Sequence, residues 1–169
     1  MATLEAGATA PELDLTLEDA EGTPRSIATV LRDGPVLLGI YKSSCQASKT
    51  MFPFLERLHE RYGQNGLQVL GVSQDSANIT RSFARRAGIT FPILIEPEGY
   101  PISTAFGITA TPTVYLIRPG GEIVFDTMGF FADPVNELGR ATATEVAADS
   151  VPLYTEEDTE RGTPPFVPG

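Results

Sequence analysis

Apolar runs and one alternating segment mark the strands of this chain. Residues 36–41 and 67–72 are almost entirely apolar, which is typical of strands buried on both faces of a sheet. Leu13, Leu15 and Leu17 alternate with polar neighbours, so residues 10–18 are predicted to form a half-buried strand. Shorter strands are predicted over residues 91–95, 114–117 and 122–126, the last two forming a hairpin.

An apolar stripe with helical spacing follows the first of those runs. Its side chains recur every three or four positions: Met51, Leu55, Leu58 and Tyr62. This spacing predicts one helix over residues 46–62, with Pro53 introducing a kink. Further helices are predicted over residues 26–31, 76–87, 100–106 and 133–147.

Strands that alternate with helices indicate an α/β domain. This order places a parallel part of a sheet between helices, and the late hairpin adds antiparallel strands. We therefore predict a three-layer α/β fold with a central mixed sheet over residues 1–150, extended by the N-terminal strand. Residues 151–169 are rich in Pro, Glu and Thr and are predicted to form an extended or mobile acidic tail.

Length and charge narrow the classes of function. The chain has 169 residues, enough for one domain, and a formal net charge of −10, which repels nucleic acids. The excess acid lies in residues 1–33 and 145–169 and is interpreted as a solubility feature. No apolar run is long enough to cross a bilayer, and the first residues lack the features of a secretory signal. We expect a cytoplasmic protein that binds neither nucleic acid nor membrane.

A single cysteine and a single histidine limit the chemistry. One cysteine cannot close an internal disulfide, and the pair cannot supply the four ligands of a structural zinc site. The chain also lacks a glycine-rich phosphate-binding motif. We therefore expect no metal and no other cofactor.

Cys45 lies where a predicted buried strand ends and a predicted helix begins. Free backbone N–H groups and the positive end of the helix dipole favour a thiolate at such a place. Lys42 and Lys49 are close in sequence and are expected to add positive charge. The alternative is an inert buried thiol, and position alone favours neither interpretation.

Several short motifs occur in order along the chain. They are residues 7–11 (Gly-Ala-Thr-Ala-Pro), 36–41, 44–48 (Ser-Cys-Gln-Ala-Ser) followed by Pro53, 71–75 (Gly-Val-Ser-Gln-Asp), 91–92 (Phe-Pro) and 111–113 (Thr-Pro-Thr). Together they resemble the thioredoxin-fold redoxins, the group of alkyl hydroperoxide reductase and thiol-specific antioxidant proteins and membrane-tethered thioredoxin-like reductases. The resemblance covers roughly residues 7–130 and implies a thioredoxin-like fold and an oxidoreductase or antioxidant function.

The resemblance implies roles for the residues around the cysteine. By position, Cys45 is similar to the nucleophile of the thioredoxin Cys-x-x-Cys motif, and Pro112 to the cis-proline opposite it. A cis bond there would aim the Thr111 backbone at the sulfur, ready to pair with an extended substrate. A trans turn is the alternative for this proline. Thr111 and the neighbours Ser44 and Gln46 are the predicted substrate contacts.

Three positions depart from the family patterns. Ser48 stands where the resolving cysteine would be, so its hydroxyl could donate to a Cys45 thiolate but cannot resolve a mixed disulfide. A serine introduced to trap such a disulfide is another explanation of this position. Leu38 and Lys42 occupy the Pro and Thr positions of the peroxiredoxin motif, so that peroxide-binding signature is missing.

Other polar residues receive structural interpretations. His59 falls on the polar side of its helix and is expected to be exposed and structural. Asp75 is expected to cap the following helix rather than act as an acid catalyst, and Arg118 is expected near a sheet end, away from the thiol. Three arginines are predicted to form a solvated helix face: Arg81, Arg85 and Arg86.

Two functions remain in competition. In the first, the Cys45 thiolate attacks a disulfide or a peroxide, giving a mixed disulfide or a sulfenic acid, and an external thiol completes the cycle. That thiol belongs to a small molecule, to another protein or to a second copy of the chain, and a monomer or homodimer is expected. In the second, the fold is a non-catalytic binding module. The cysteine at a helix start, beside the predicted cis-proline, favours the first.

Overall fold

The computed structural model describes residues 2–169, which form a five-stranded mixed sheet between two layers of helices. The strands, in chain order, are β1 (Leu17–Glu18), β2 (Pro24–Arg25), β3 (Val36–Tyr41), β4 (Gln68–Ser73), β5 (Ile93–Ile95), β6 (Thr113–Ile117), β7 (Ile123–Met128), β8 (Phe130–Phe131) and β9 (Phe166–Val167). The helices are α1 (Ile27–Leu31), α2 (Gln46–Tyr62), α3 (Ala77–Ala87), α4 (Pro101–Phe106), α5 (Ala132–Glu145) and α6 (Glu156–Glu160).

The central sheet has the strand order β5-β4-β3-β6-β7. β3 and β5 both run parallel to β4, whereas β6 runs antiparallel to β3 and forms a hairpin with β7. The predicted α/β class with its mixed central sheet is therefore confirmed.

Each face of the sheet packs on its own group of helices. Leu37 and Tyr41 of β3 belong to a buried cluster with side chains of α2, α3 and α5. Leu38 and Ile40, which point to the opposite face, pack with side chains of α1 and α4. Because β3 is buried on both faces, its sequence is a continuous apolar run rather than an alternating one.

Gly39 allows α2 to lie close to the centre of β3. A Cβ atom at this position would lie 2.9 Å from Cδ1 of Leu55 and 3.2 Å from Cζ of Phe52. A larger residue would push the helix away from the sheet, because interiors are close-packed. The short β3–α2 connection and this close packing together fix the first turn of α2 over the end of β3.

The N-terminal strand is shorter than predicted. Only Leu17–Glu18 pairs, with Pro24–Arg25, and Glu12 has a φ of 57° that interrupts the extended run. Leu13 and Leu15 still pack against the core. The alternation therefore predicted burial correctly, but strand pairing also needs a partner, and β2 supplies only two residues.

Residues 151–169 pack on the rest of the chain, which differs from the extended tail that composition predicted. This segment contains α6 and also β9, which pairs with β8. Arg57 of α2 explains the packing: its guanidinium lies 2.6 Å from the buried carboxylate of Asp158 and donates to the Leu153 carbonyl at 3.0 Å. The division at residue 150 stays a prediction.

None of the helices within residues 2–169 has the length and apolar content needed to cross a membrane.

Candidate active site

Cys45 is the N-cap residue of α2, a few residues after β3 ends. Its side chain is partly exposed, and its thiol donates a hydrogen bond to the carbonyl oxygen of Thr111 at an S–O distance of 3.1 Å. The two residues are 66 positions apart. They meet because β6 is antiparallel to β3, which places the start of β6 beside the end of β3.

The peptide bond between Thr111 and Pro112 is cis, as the resemblance implied. Pro112 is buried and directly precedes β6, and its carbonyl accepts a hydrogen bond from the Gly129 amide at 2.8 Å. The alternative of a trans turn is therefore not what this loop adopts. With the loop held by Gly129, the Thr111 carbonyl faces the Cys45 sulfur.

Ser48 lies one turn of α2 after Cys45 and is fully buried. Its hydroxyl has no hydrogen-bond partner within residues 2–169 while Cys45 is a thiol. The Ser48 side chain nevertheless lowers the pKa of the Cys45 thiol, because it can donate to the thiolate. A buried hydroxyl of this kind has lost its water contacts without full compensation. It is therefore ready to donate a hydrogen bond when the thiol ionises.

The pKa of the Cys45 thiol lies below its usual range. Partial burial raises this pKa, but the backbone amide and hydroxyl of Ser48, the side chain of Thr111 and the Ala47 amide together lower it more. Free N–H groups in the first turn of a helix have this effect on an N-terminal cysteine. The pKa is thus lowered by hydrogen bonds and not by the lysine charges that the sequence led us to expect.

The predicted substrate contacts surround the thiol unevenly. Ser44 and Gln46 flank Cys45 in the chain and are exposed, whereas Thr111 is half-buried against the sulfur. The structure therefore gathers Cys45, Ser48 and Thr111 around one point, with two exposed neighbours at its rim. The roles of all these residues stay predictions.

Asp75 has a position that the sequence analysis missed. The N-cap of α3 is Ser76, whose hydroxyl accepts from the Ile79 amide at 3.3 Å, so the expected capping role of Asp75 is wrong. Instead, its carboxylate accepts from the Ser43 amide at 2.8 Å and holds the loop that leads to Cys45. The order of the strands could have predicted this contact, because the loops that follow neighbouring parallel strands meet at one edge of the sheet.

The other polar residues lie away from the thiol or face solvent. His59 is half-buried, with its ring edge against Phe91 at a centroid distance of 5.9 Å, so its expected exposure is corrected. Arg118 pairs with Glu145 at 2.8 Å. Arg81 donates to the Ala20 carbonyl at 2.7 Å and is therefore not simply solvated. The remaining arginines of the predicted solvated face are exposed: Arg85 and Arg86.

Curated relatives of this chain are thiol-disulfide oxidoreductases by name. The protein is 31% identical over 113 residues to ResA of Halalkalibacterium halodurans, covering 66% of this chain and 63% of the relative. It is 30% identical over 118 residues to ResA of Geobacillus thermodenitrificans, covering 69% and 66%. The chain thus spans slightly less than two thirds of the length of these relatives.

Solved structures with the same fold include the thioredoxin domain of a thiol-disulfide oxidoreductase from Bacteroides vulgatus. It has a TM-score of 0.72 at 19% identity and covers 83% of this chain and 99% of that one. Peroxidoxin BcpB from Mycobacterium tuberculosis has a TM-score of 0.71 at 22% identity and covers 87% and 99%. These likenesses confirm the thioredoxin-like fold. The AhpC/TSA family model matches residues 6–125, and the chain therefore belongs to the AhpC/TSA family.

Proposed function

We propose that this protein is a thiol-disulfide oxidoreductase that works with one thiol, that of Cys45. The observation that carries the proposal is the partly exposed sulfur at the first turn of α2, with a lowered pKa and 3.1 Å from the Thr111 carbonyl. A thiolate is the attacking species in disulfide exchange. The names of the ResA relatives support the same chemistry.

The proposed reaction has two exchange steps. The Cys45 thiolate attacks one sulfur of a disulfide R–S–S–R′, so that a Cys45–S–S–R bond forms while the substrate bond breaks and R′S⁻ leaves and takes a proton from water. An external thiolate R″S⁻ then attacks the R sulfur, which releases R–S–S–R″ and restores the Cys45 thiolate. The cycle thus exchanges R′ for R″ in the disulfide, and attack by a second R″S⁻ on R–S–S–R″, which releases RS⁻ and R″–S–S–R″, completes the two-electron reduction of the substrate disulfide.

The neighbours of Cys45 have distinct tasks in this scheme. Hydrogen bonds from Ser48 and the first-turn amides stabilise the thiolate as nucleophile in the first step and as leaving group in the second. Ionisation removes the proton that Cys45 shares with Thr111, so the Thr111 carbonyl becomes available to a hydrogen-bond donor of the substrate. Ser44 and Gln46 lie where the rest of the substrate passes. The second step needs an outside thiol because a serine hydroxyl does not ionise in this pH range.

Replacing Cys45 by serine tests the proposal. The C45S variant is expected to release no 4-thiopyridone from 4,4′-dithiodipyridine, because the chain contains no other cysteine. Stopped-flow absorbance measures the release, and thermal unfolding shows whether the variant is folded. Release at the wild-type rate would contradict the proposal.

The pKa of the wild-type Cys45 thiol, obtained from alkylation rates against pH, is the second test. A value at or above ~8.5 would favour the binding-module alternative.

Replacing Ser48 by cysteine tests the local arrangement. Since position 48 is buried against the Cys45 sulfur, S48C is expected to form an internal disulfide on oxidation, which mass spectrometry detects as a loss of two hydrogens. T50C is the matched control on the same helix, because the Thr50 hydroxyl bonds to the Gln46 carbonyl instead. Failure of S48C to oxidise internally would show that the two side chains do not meet.

A peroxide is the second candidate oxidant, because the family includes peroxide-reducing proteins and a low-pKa thiolate reacts with peroxides. The step would convert Cys45–S⁻ and H₂O₂ into Cys45–SOH and OH⁻. Labelling of sulfenic acid by dimedone measures it, and a rate no greater than that of free cysteine would remove this candidate.

The cytoplasmic location and the monomeric or homodimeric state stay predictions, which cell fractionation and light scattering test.

A further inference from the structure

An open groove runs between α2 and α3 beside the loop that carries Cys45. Its volume is about 560 Å³, within the range of small-molecule sites. Ser44 is one of its lining residues, Phe83 and Ile79 provide apolar surface, and Lys49 and Arg86 supply two positive charges. Ile79 is 50% exposed, so its side chain leaves apolar surface for a ligand to cover.

The two cations in the groove have no acidic partner within residues 2–169. By contrast, Arg57 and Arg118 are both engaged with carboxylates. Two unpaired cations that line one groove in a chain of net charge −10 provide local charge complementarity for an anion. Apolar surface next to them suits an organic anion rather than an inorganic one.

The groove lies within reach of a group attached to Cys45. The amide of Lys49 donates to the Cys45 carbonyl at 3.1 Å, so Lys49 lies one helical turn further along α2. Residues four apart on a helix are surface neighbours. Ser44, which lines the groove, is the residue that precedes Cys45 in the chain.

The opposite side of the sulfur is partly covered by the chain itself. A Cβ atom at Gly169 would lie 2.6 Å from the Thr111 carbonyl oxygen and 3.3 Å from the Ala110 side chain. The residues after β9 therefore lie against the backbone with which an extended substrate peptide would pair. A small disulfide that approaches from the groove side meets no such cover.

We propose that this groove binds the carboxylate-bearing half of a low-molecular-weight disulfide and so selects anionic small thiols as the exchange partners of Cys45. This inference rests on the proposed function. When the Cys45 thiolate attacks R–S–S–R, the R group of the new Cys45–S–S–R bond occupies the groove with its carboxylate between Lys49 and Arg86, and RS⁻ leaves and is protonated by water. An external thiolate R″S⁻ then attacks the R sulfur, which restores the Cys45 thiolate and releases R–S–S–R″.

Two matched disulfides test this selectivity: 6,6′-dithiodinicotinate and 2,2′-dithiodipyridine, which differ by one carboxylate on each ring. The measured quantity is the ratio of their rate constants with the full-length protein, anionic over neutral, which cancels any change in the reactivity of the thiolate itself. We expect K49Q and R86Q each to lower this ratio about threefold, and the double variant about tenfold. R85Q is the control, because Arg85 is exposed on the same helix but lies outside the groove.

The outcomes separate the inference from the proposed function. An unchanged ratio in the double variant, with normal reaction of the neutral disulfide, would refute the proposed selectivity of the groove and leave the proposed oxidoreductase function unaffected. A wild-type protein that reacts with neither disulfide would overturn the proposed function itself. An equal fall in R85Q would show that net charge, and not the groove, sets the preference. The expected fall should also shrink as salt is added, because salt screens exposed charges.

Discussion

At the scale of single residues, a buried hydroxyl lies one helical turn after Cys45. Ser48 is fully buried and acts on the sulfur through its side chain and its amide. A hydroxyl can donate to a thiolate but cannot form a disulfide. In the proposed cycle Ser48 therefore stabilises the thiolate, and resolution of the mixed disulfide needs an outside thiol.

Removal of the Ser48 hydroxyl should change reactivity without weakening the fold. S48A is expected to raise the pKa of Cys45 and to slow its alkylation at neutral pH, because one hydrogen bond to the thiolate is lost. Its free energy of unfolding should not fall, since the hydroxyl has no regular partner when Cys45 is a thiol. Alkylation rates against pH and urea unfolding measure the two effects.

T50A is the control for that experiment, because it removes a hydroxyl from the same helix that bonds to the Gln46 carbonyl and not to the sulfur. An S48A protein whose thiol titrates like the wild type would show that the amides alone stabilise the thiolate.

At the scale of elements, the parallel strands β3 and β4 deliver two loops to one edge of the sheet. The loop after β3 carries Cys45, and the loop after β4 carries Asp75, which accepts from the Ser43 amide. Ser73, at the end of β4, supports this turn by accepting from the Asp75 amide at 3.0 Å. The loop that carries Cys45 is therefore positioned by its neighbouring loop as well as by α2.

Loss of the Asp75 carboxylate should slow disulfide exchange through misplacement of the Cys45 loop. D75A is expected to reduce the rate with 4,4′-dithiodipyridine by roughly tenfold and to lower the free energy of unfolding by about 1–2 kcal/mol, because the Ser43 amide loses its partner. D75N keeps an oxygen acceptor at the same place and should recover most of the rate. Equal rates in wild type and D75A would argue against a positioning role.

The contact between α2 and residues 151–169 also belongs to this scale. Arg57 pairs with Asp158, donates to the Leu153 carbonyl and covers the Phe54 ring, with its guanidinium carbon 4.4 Å from the ring centroid. Leu153 is itself buried in the core cluster of α2 and α5. One side chain thus combines ionic, hydrogen-bonding and aromatic contacts at the junction.

Replacement of Arg57 should destabilise the protein more than replacement of its neighbour Arg61. R57M is expected to cost about 1–3 kcal/mol in free energy of unfolding, because it leaves the Asp158 carboxylate buried without its cation. Arg61 makes only an exposed hydrogen bond to the Val151 carbonyl, so R61M should change stability by about 0.5 kcal/mol or less. Urea unfolding distinguishes the two variants. Similar losses of free energy of unfolding in R57M and R61M would show that the ion pair with Asp158 is not what holds residues 151–169 on α2.

At the scale of the whole molecule, acidity is concentrated near the two ends, and each end contains one buried, paired carboxylate. Asp19 lies 2.8 Å from Arg25, and Asp158 lies 2.6 Å from Arg57. Burial raises the pKa of Asp19, but hydrogen bonds from Arg25 and two backbone amides lower it more. The Arg57 hydrogen bond is the main cause that lowers the pKa of Asp158.

Acid should therefore destabilise the fold through these two carboxylates. Their pKa values are lower in the folded than in the unfolded chain, so the unfolded state takes up protons first as pH falls. The stabilisation is complete above the unfolded value of ~3.9 and is lost as pH falls through the folded value. Urea unfolding between pH 6 and pH 2 should show this decline, and D158N should show a smaller one. A decline of the same size in D158N would assign the effect to other groups.

The sequence by itself determined the features that depend on local spacing. The alternation of strands with helices predicted the three-layer fold with its central sheet. The apolar run of β3, followed by the helical stripe of α2, predicted that Cys45 lies at a helix start. These features follow from periodicity, because burial on one or both faces of an element leaves a repeat in the sequence that needs no knowledge of distant residues.

Only the tertiary structure decided which groups meet across the chain. The support of the Cys45 loop by Asp75 and the docking of residues 151–169 through Arg57 join segments far apart in sequence, and nothing in the local pattern predicted either one. The contact of Cys45 with Thr111 was implied by the resemblance and not by local spacing. Composition made the last segment look extended, and alternation made the first strand look longer than it is. The physical reason is the same in each case: hydrogen bonds and ion pairs depend on which strand ends and helices are neighbours in space, and local periodicity carries no record of that order.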